Sequence, residues 1–463
     1  MKKSMLTLIY AVTLFTFLLA PALAVDVTYT LRDLGIVEYP VIKNWWGGSN
    51  KVQLLVEPEL RDLDGDGDSD VVIAFGVFTS DKSADRSYYP IIMENTGDGN
   101  LRNLPIHGNR VAQSIPREIA FADFNLDGRQ DIIIIGHGYD GPDCGMVGFG
   151  DQNILLYSNL DGSYNDVSYL LPQEKAFSHS VTVGDVNGDG LSDIYIGNLS
   201  HTAHLLLNAG PDGFRETALP PIFDFFREWP NPVTKYTSCL LVDIDNDGVL
   251  EMVLGATGQD GPWGISVIVD QDGQGNFGAY RNLPMGLYGP GTITIDVDAA
   301  DINGDGLKDL LLSQTRSDPF YRGRGLQILI QRPDGSFADE TVNRIIGVDR
   351  NKTWIQFASF VDIDKDGDLD ILHKTLCGES TGQHEPVVLF NRGDGVFVKS
   401  PAYGYPSYVP YSYFPDNGYY GGYDKILGNY FAFVVDFTHY IDTGVKGGAD
   451  LLRIGELDMV KPY

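Results

Sequence analysis

The stretch DLDGDGDSD, Asp62 to Asp70, places five carboxylates within nine residues, and the apolar run VVIAFG at residues 71–76 follows it directly. Carboxylates this close together repel one another, which raises the free energy of the folded chain. The segment folds favourably only where something offsets that repulsion. A single acidic turn would say little, because a run of like charges is usually a solvated loop.

Five further segments carry the same pattern, D-x-[DN]-x-D-G-x-x-[DE]. They begin at Asp123, Asp185, Asp243, Asp301 and Asp362, so the six starts are 61, 62, 58, 58 and 61 residues apart. Six copies at one spacing do not arise by chance. The chain is a repeat protein in which each unit of about 60 residues contributes one acidic loop.

The N-terminus has the features of an export signal. Lys2 and Lys3 precede an apolar run that ends in an A-x-A sequence at Ala24. This arrangement predicts a signal peptide over residues 1–24, with cleavage before Val25. No cysteine follows the cleavage site to carry a lipid, and no later segment is long and apolar enough to span a membrane. We expect a mature chain that is secreted, periplasmic or attached at the cell surface.

Charge and cysteine content narrow the class of protein. The formal net charge is −30, which disfavours nucleic acid and anionic membranes as partners. Twenty-three of the 63 Asp and Glu lie in the six loops, so much of the acidity belongs to those loops. Three cysteines are too few for a disulfide framework; Cys239 is predicted to be a buried thiol, and pairing of Cys144 with Cys377 is left open.

The second repeat shows the structural unit. Apolar strands are predicted at 119–124 and 132–135, on either side of the acidic loop, and two more at 153–158 and 163–168. Asp161-Gly162 lies between the last two, and this dipeptide is typical of a tight hairpin turn. Four antiparallel strands in about 60 residues are the unit of a propeller blade. The predicted fold class is therefore an all-β propeller of four-stranded antiparallel blades.

The chain is long enough for a seventh unit. Strand-like runs at 431–437 and 449–457 match those that flank the acidic loops, but Asp436 and Asp450 are 14 residues apart and D-x-D-G is missing. We predict one seven-bladed domain over residues 25–463. Its degenerate last blade spans about 400–463 plus 25–36, with the N-terminal strand completing that blade and closing the ring.

The motif and its spacing resemble the FG-GAP/VCBS repeats of the N-terminal propeller in integrin alpha subunits. The resemblance covers nearly the whole mature chain. It implies that each acidic loop joins the first two strands of a blade and binds calcium, and that the opposite face of the propeller carries the ligand site.

The chemistry of the loops agrees with calcium, a hard cation that takes six to eight oxygens at about 2.3–2.6 Å. The loops contain neither Cys nor His, which disfavours zinc, and a glycine at the sixth position allows the sharp turn. We expect about six Ca²⁺ sites, with side-chain oxygens from the first, third, fifth and ninth positions and the backbone carbonyl of the seventh. The predicted ligands are Asp62, Asp64, Asp66, Asp68, Asp70, Asp123, Asn125, Asp127, Arg129, Asp131, Asp185, Asn187, Asp189, Leu191, Asp193, Asp243, Asp245, Asp247, Val249, Glu251, Asp301, Asn303, Asp305, Leu307, Asp309, Asp362, Asp364, Asp366, Asp368 and Asp370.

Two short motifs are interpreted as structural. The RGD sequence at Arg392–Asp394 lies where the other repeats have a hairpin turn, so a turn explains it better than recognition by an integrin. His201 and His204 have a spacing seen in metal sites, but on a strand they would point in different directions. We predict no metal at these histidines.

A ligand site is expected on the face opposite the acidic loops, where the connections are long and irregular. These connections include SQTRSDPFYRGRG at 313–325 and a segment at 403–430 with nine tyrosines in 28 residues. Exposed aromatic rings suit sugars or protein partners, although they could equally pack over the last blade. The candidate ligand-binding residues are Trp45, Trp46, Trp229, Trp263, Tyr411, Tyr413, Tyr419 and Tyr420.

Three functions remain open at this point. The leading hypothesis is a non-enzymatic, calcium-stabilised binding or adhesion module for an extracellular glycan or protein. The second is a polysaccharide lyase or another glycan-active enzyme that uses the same face, since no nucleophile motif or phosphate loop argues for or against one. The third is a structural component of a surface assembly.

Overall fold

In the computed structural model of the chain, the acidic loops connect neighbouring strands of antiparallel sheets. The structure describes residues 28–38, 52–79, 86–87, 89–97, 101–138, 150–199, 202–223, 226–228, 231–233, 236–258, 264–351, 357–362, 366–374, 388–399, 419–424, 429–436 and 451–460. These residues form seven sheets of four or five strands and one short hairpin. The prediction of an all-β fold made of four-stranded antiparallel units is confirmed.

The first strand, β1 (Thr28–Glu38), belongs to the sheet formed by the C-terminal residues. Sheet one contains β2 (Val52–Arg61), β3 (Asp70–Thr79), β4 (Arg86–Ser87), β5 (Ile91–Asn95) and β6 (Leu101–Asn103). Sheet two contains β7 (Ile106–Gly108), β8 (Pro116–Ala122), β9 (Asp131–Gly136), β10 (Ile154–Ser158) and β11 (Tyr164–Asp166). Sheet three contains β12 (Ser178–Gly184), β13 (Asp193–Asn198), β14 (His204–Asn208) and β15 (Phe214–Thr217).

The short hairpin follows, with β16 (Phe226–Glu228) and β17 (Asn231–Val233). Sheet four contains β18 (Tyr236–Val242), β19 (Glu251–Ala256), β20 (Val267–Gln271) and β21 (Phe277–Asn282). Sheet five contains β22 (Thr292–Ala300), β23 (Asp309–Arg316), β24 (Arg322–Gln331) and β25 (Phe337–Asp339). Sheet six contains β26 (Ile345–Ile346), β27 (Phe357–Val361), β28 (Asp370–Lys374), β29 (Val388–Asn391) and β30 (Phe397–Lys399).

Sheet seven is formed by β1 with β31 (Tyr419–Asp424), β32 (Asn429–Asp436) and β33 (Leu451–Val460). Helical turns are few and short. They comprise 3-10 turns at Ser168–Leu170, Gly210–Asp212, Pro221–Phe223 and Gly289–Gly291, and one α-helical turn, α1 (Thr341–Arg344).

The hydrophobic core lies between successive sheets. In β9 every residue is buried, but its side chains alternate between two clusters. Ile132 and Ile134 pack with residues of sheet one, and Ile133 and Ile135 pack with residues of sheet three. Because both faces of the sheet are buried, the strand is a continuous apolar run without polar alternation. Similar clusters join sheet three to four, four to five and five to six.

Side chains also join the first strands of successive sheets. The backbone N–H of Val181 in β12 donates to Glu118 in β8 at 2.8 Å, and that of Leu241 in β18 donates to Thr182 in β12 at 3.1 Å. Asp296 in β22 accepts from the backbone N–H of Ala358 in β27 at 3.0 Å. These bonds satisfy amides that would otherwise be unpaired at the inner edge of each sheet.

The terminal sheet places the two ends of the chain side by side. β1 pairs antiparallel with β33, from Thr28 opposite Val460 to Glu38 opposite Leu451, and the strand order is β1-β33-β32-β31. β31 contacts β2, so it lies at the inner edge. Counted from that edge, β31 and β32 are the first and second strands of the sheet, and β32 and β33 are the second and third.

This arrangement corrects the expected equivalence between 437–450 and the acidic loops. β31 was not predicted from the sequence, since its residues, YYGGYD, contain no apolar stretch like those that begin the other sheets.

Cys239 is a buried free thiol, as predicted. Cys144 and Cys377, as well as the predicted signal peptide over 1–24, lie outside the described residues. Within the part of the chain that the structure describes, no helix has the length and apolar content that a membrane crossing needs.

The pairing of β1 predicts the effect of an N-terminal truncation. Deleting residues 26–35 removes seven of the ten paired positions on β33, where each cross-strand pair contributes about 0.2–1 kcal/mol. We expect calorimetry to show a lower melting temperature than for the chain that starts at Val25. A synthetic peptide of residues 26–38 should restore part of the loss, and an unchanged melting temperature would refute the pairing.

Candidate metal centres

The first aspartate of each acidic loop organises the turn. Its Oδ2 accepts a hydrogen bond from the backbone N–H of the sixth-position glycine in all six loops, with distances of 2.7 Å in the second and third loops and 3.1 Å in the first. These glycines have positive φ, for example +93° at Gly67, a conformation that side chains with a Cβ rarely adopt. The glycine thus turns the chain so that its amide points at the first carboxylate.

The fifth aspartate continues the same turn. In every loop its Oδ1 accepts from the backbone N–H of the seventh residue, as in Asp127 from Arg129 at 2.9 Å and Asp66 from Asp68 at 3.0 Å. At the third position, the Oδ1 of Asn125 accepts from the N–H of Asp127 at 2.9 Å. These local bonds hold alternate side chains in place before any ion binds.

Among the described residues, two loops bring three carboxylates close enough to share one cation. Oxygens of Asp62, Asp64 and Asp66 lie within 4.8 Å of one another, and the same is true of Asp243, Asp245 and Glu251. Loops two, three and five have Asn at the third position, which offers an amide oxygen in place of a carboxylate. A set of oxygen donors alone suits a hard cation such as Ca²⁺, so the residues present fit the predicted metal.

The ninth carboxylate is buried and joins two elements. Asp131 is fully buried; its Oδ2 accepts from the N–H of Phe124, next to the start of the loop, at 2.9 Å. Its Oδ1 accepts from the N–H of Ser158, at the end of the third strand, at 2.8 Å. Asp70, Asp193 and Asp309 make the same two bonds in their own repeats. The ninth residue therefore ties the acidic loop to the third strand of its sheet.

Burial changes the acidity of these ninth carboxyls. It raises the pKa of Asp70 to about 8, although hydrogen bonds from the N–H groups of Asn95 and Leu63 act against the shift. Burial likewise raises the pKa to about 7 for Asp131 and Glu251 and to about 6 for Asp193 and Asp309. Without a cation nearby, these groups hold their protons nearer to neutral pH than an exposed carboxyl does.

Adjacent loops also contact each other. The side-chain amide of Asn246 in the fourth loop donates to the carbonyl of Gly306 in the fifth at 2.8 Å. The Lys308 ammonium donates to the carbonyl of Asp243 and to the Oδ1 of Asn246. The loops thus lie side by side at one edge of the molecule, and a lysine offsets part of their negative charge.

The residues at the end of the third strand were not among those predicted from the sequence. The Oδ1 of Asn95, Asn208 and Asn391 accepts from the N–H of the glycine two residues later, which fixes the outer hairpin. The backbone N–H of the same asparagines donates to the ninth carboxylate. The repeated Asn-x-Gly pattern in the hairpins was the available signal for this role.

Six of the eight candidate ligand-binding residues fall outside the part of the chain that the structure describes. Trp45, Trp46, Trp229, Trp263, Tyr411 and Tyr413 lie outside the described residues, as does Asp364 of the sixth loop. Tyr419 and Tyr420 are the first two residues of β31. The structure therefore places two of the eight on a strand and leaves the aromatic site a prediction.

The two discounted motifs have structural partners. Arg392 donates to Asp394 within the β29–β30 hairpin at 2.7 Å, and the N–H of Gly393 donates to Asn391 at 3.0 Å. His204 is buried, and its two ring nitrogens lie 2.7 Å from carboxylate oxygens of Glu216 and Glu174. His201 lies outside the described residues, so the absence of a metal at this pair remains a prediction.

The chain was compared with known proteins. The FG-GAP-like repeat matches residues 62–134, 185–254 and 243–312. Human integrin alpha-6 is 35% identical over 101 residues, which cover 20% of this chain and 9% of the integrin. The matched part is thus a small fraction of that relative's length.

Two solved structures are similar to the chain at low sequence identity. An Agrocybe aegerita lectin, studied for its recognition of non-reducing terminal N-acetylglucosamine, is 17% identical, with a TM-score of 0.46 over 74% of this chain and 78% of the lectin. A GH43 β-1,3-galactosidase bound to galactodeoxynojirimycin is 11% identical, with a TM-score of 0.37 over 66% of this chain and 96% of the enzyme.

The repeat match covers the first five acidic loops and at least the beginning of the strand that follows each of them. Together with the integrin similarity and the four-stranded antiparallel sheets, it confirms the family resemblance noted in the sequence. Residues 62–134 and 185–312 of the chain therefore consist of FG-GAP-like repeats, similar to those of the integrin-like β-propeller family.

Proposed function

We propose that the protein is an exported, calcium-stabilised propeller that binds a glycan or protein ligand with the face opposite its acidic loops. The observation that carries the calcium assignment is the shared loop geometry. All six sixth-position glycines donate to the first carboxylate, and in two loops three carboxylates converge within 4.8 Å. The thirty residues named as ligands in the sequence analysis would hold about six Ca²⁺ ions, one in each loop.

The seven sheets are proposed to be the seven blades of one closed ring. Their inner strands contact one another in sequence, from β2 through β8, β12, β18 and β22 to β27, and β31 contacts both β28 and β2. β1 would then complete the outer edge of the last blade. A ring of this kind has no free inner edge, which protects strands from pairing with other chains.

Calcium supplies the cross-linking that an exported protein often takes from disulfides. When the free cation concentration is a hundred times the dissociation constant of a loop, binding stabilises the fold by about 2.7 kcal/mol at that site. The ion also offsets the repulsion between carboxylates within each loop. We propose that the calcium sites fix the blades and that the opposite connections, which carry no repeated motif, recognise the ligand.

Calcium removal is the first test. We expect chelation to lower the melting temperature and to leave the far-UV spectrum at low temperature unchanged, because the loops are already hydrogen-bonded in place. Asp66→Ala should reduce the bound calcium by about one ion per chain and lower the melting temperature. Asp212→Ala, which changes an exposed aspartate outside the loops, serves as the control. An unchanged melting temperature on chelation would disprove the calcium proposal.

The raised pKa values predict how pH and calcium interact. The folded, metal-free protein binds protons at its ninth carboxyls up to about pH 6–8, whereas the unfolded chain releases them near pH 4. The stability of the metal-free protein should therefore fall as pH rises from about 4 to about 8. Calcium favours the ionised carboxylates, so the melting-temperature gain that it gives should be larger at pH 8 than at pH 5.5.

Calorimetry of the metal-free and calcium-loaded protein at both pH values would measure this difference. Calcium binding near pH 6.5 should also release protons, seen as a binding enthalpy that depends on the ionisation heat of the buffer. Equal gains at the two pH values, without proton release, would show that the ninth carboxyls do not respond to the metal.

The aromatic candidates can be tested separately. Replacing Tyr411, Tyr413, Tyr419 and Tyr420 with Ser should weaken binding to glycan-array hits of the wild type by about thirtyfold or more for each anchor that contacts ligand. Tyr280→Ser, at an exposed tyrosine on β21, is the control. A large loss of melting temperature with binding unchanged would assign the four tyrosines to packing. Release of unsaturated sugar products from a hit would favour the lyase alternative.

A further inference from the structure

The connection between β23 and β24 forms an unusual surface at the end of sheet five away from its acidic loop. The acidic loop 301–309 joins β22 to β23 at one end of the sheet, and residues 317–321 join β23 to β24 at the other. Residues 316–324 contain three Arg and one Asp, and 349–351 add one Arg and one Asp. In a chain with a net charge of −30, this is a local excess of positive charge.

Tyr288 is the centre of this surface. Its ring lies against the backbone of β24, where a Cβ placed on Gly323 would come within 2.8 Å of the hydroxyl oxygen and one on Gly325 within 3.1 Å of Cε2. The guanidinium carbon of Arg316 lies 4.7 Å from the centroid of the same ring. Two glycines thus leave room for a tyrosine that supports an arginine by a cation–π contact.

Two further arginines lie close to Tyr288. Its hydroxyl donates to the backbone carbonyl of Arg350 at 3.2 Å, and the N–H of Arg324 donates to the same carbonyl at 3.1 Å. Burial raises the pKa of Tyr288 to about 12, and the charges of Arg316, Arg350 and Arg324 act against that rise. The positive charges of all three guanidinium groups therefore act on the Tyr288 hydroxyl. We call Arg316, Arg322, Arg324 and Arg350 with Tyr288 the arginine patch.

Three arginines of the patch, Arg316, Arg322 and Arg350, have positive charges that no nearby carboxylate among the described residues offsets. Arg316 is paired directly opposite Arg322 across β23 and β24, and like charges in such cross-strand pairs are destabilising. Elsewhere in the described structure arginines form ion pairs, such as Arg344 with Glu340 and Arg281 with Asp270. Among the same residues, Arg316, Arg322 and Arg350 pair with no carboxylate within 4.0 Å, and Arg316 donates only to the amide oxygen of Asn351.

An aromatic tip adjoins these arginines. Phe320 is 54% exposed, and its ring centroid lies 4.3 Å from that of Tyr321. Tyr321 has a φ of +53°, which is uncommon for a bulky residue and is characteristic of functional loops when it occurs. The strand end therefore combines an exposed flat ring with three arginines, Arg316, Arg322 and Arg350, that form no ion pair with a carboxylate among the described residues.

We infer that the arginine patch is a binding site for an anionic saccharide, with the guanidinium groups holding a carboxylate or sulfate and Phe320 stacking on the sugar ring. Guanidinium groups form paired hydrogen bonds with both kinds of anion. Dense polyanions such as nucleic acids would be repelled by the rest of the molecule. A saccharide with one or two charges per disaccharide avoids most of this repulsion, and its ring accounts for the exposed aromatic, which an acidic peptide does not need.

This inference rests on the proposed binding function and specifies its ligand class and its residues. It requires the destabilising Arg316–Arg322 pair to be retained for binding, as charged binding sites often are at a cost in stability. Removing one of the two charges should then preserve or raise the melting temperature of the unliganded protein while it weakens binding. Weaker binding without a loss of melting temperature would identify a ligand site, because substitutions in a cluster that only stabilises the fold would lower the melting temperature.

The test measures binding of four probes to the calcium-saturated mature chain by calorimetry at low salt. The probes are a hyaluronan tetrasaccharide, which carries carboxylates; a chondroitin sulfate tetrasaccharide, which adds sulfates; chitotetraose, which is neutral; and tetraglutamate. We expect the two anionic saccharides to bind, chitotetraose to bind at least about tenfold more weakly, and affinity to fall as salt rises. The difference between the first two probes identifies the preferred anion.

The variants are Arg322→Gln, Arg316→Gln, Arg350→Gln and Phe320→Ala. Each arginine variant should weaken saccharide binding by about tenfold, since each removes a charge-assisted hydrogen bond. Arg392→Gln, which changes the net charge by the same amount in sheet six, should bind as the wild type does. Arg322 is exposed, so its variant reports on binding even if Arg316→Gln fails to fold. Phe320→Ala should weaken the binding of both anionic saccharides, whereas tetraglutamate should bind only weakly to the wild type and to this variant.

Three results would overturn the inference. The first is no binding of either anionic saccharide to the wild type. The second is equal affinity in Arg322→Gln, Arg350→Gln and the wild type. The third is tight binding of tetraglutamate that Phe320→Ala does not change, which would identify the patch as a site for acidic peptide. Chelation experiments are independent of all three, so a failure here would leave the calcium proposal standing.

Discussion

In four of the six acidic loops, a buried carboxylate at the ninth position holds the first three strands of a sheet in register, because each of its oxygens accepts from a different element. Asp131 joins the amide of Phe124 to that of Ser158, and Asp193 joins Val186 to Asn208 in the next repeat. Burying a carboxylate is unfavourable unless hydrogen bonds replace its lost hydration. Two backbone amides supply that replacement, so the loop, the strand that follows it and the end of the third strand are fixed together.

This constraint explains why the edge with the acidic loops is uniform and the other edge is not. At the acidic edge, the first and fifth aspartates, the sixth-position glycine and the asparagine of the outer hairpin form one hydrogen-bonded unit, seen in full at Asp185–Asn208. Any insertion there would break several bonds at once. The connections at the opposite edge carry no repeated sequence motif of this kind. They can differ in length and composition between repeats without disturbing the sheets.

The two edges also differ in charge. The acidic loops hold 23 of the 63 acidic residues, and their repulsion is reduced by turn amides and by Lys308. At the other end of sheet five, Arg316 and Arg322 face each other across two strands without a carboxylate partner among the described residues. An overall charge of −30 conceals this separation. The protein is better described as having an edge suited to cations and, on the opposite side, a patch suited to anions.

The sequence determined the repeat, the four-stranded unit and the acidic turn, because each depends on residues within about ten positions of one another. The pattern D-x-[DN]-x-D-G requires glycine with positive φ at Gly128 and carboxylates on alternate residues, whatever surrounds the loop. The apolar run at Ile132–Ile135 likewise predicts a strand buried on both faces. These features are local, and local chemistry suffices to identify them.

Contacts between distant residues were decided only by the tertiary structure. No sequence pattern indicates that β31 precedes β32 at the inner edge of the last sheet, because a glycine-rich segment resembles a loop until a neighbouring strand pairs with it. The arginine patch was also hidden, since Tyr288, Arg316 and Arg350 come from three separate segments. A sequence motif contains only residues that are close together along the chain. The distances from Tyr288 to Gly323 and Arg316 depend instead on how β24 packs against the segment that precedes β22.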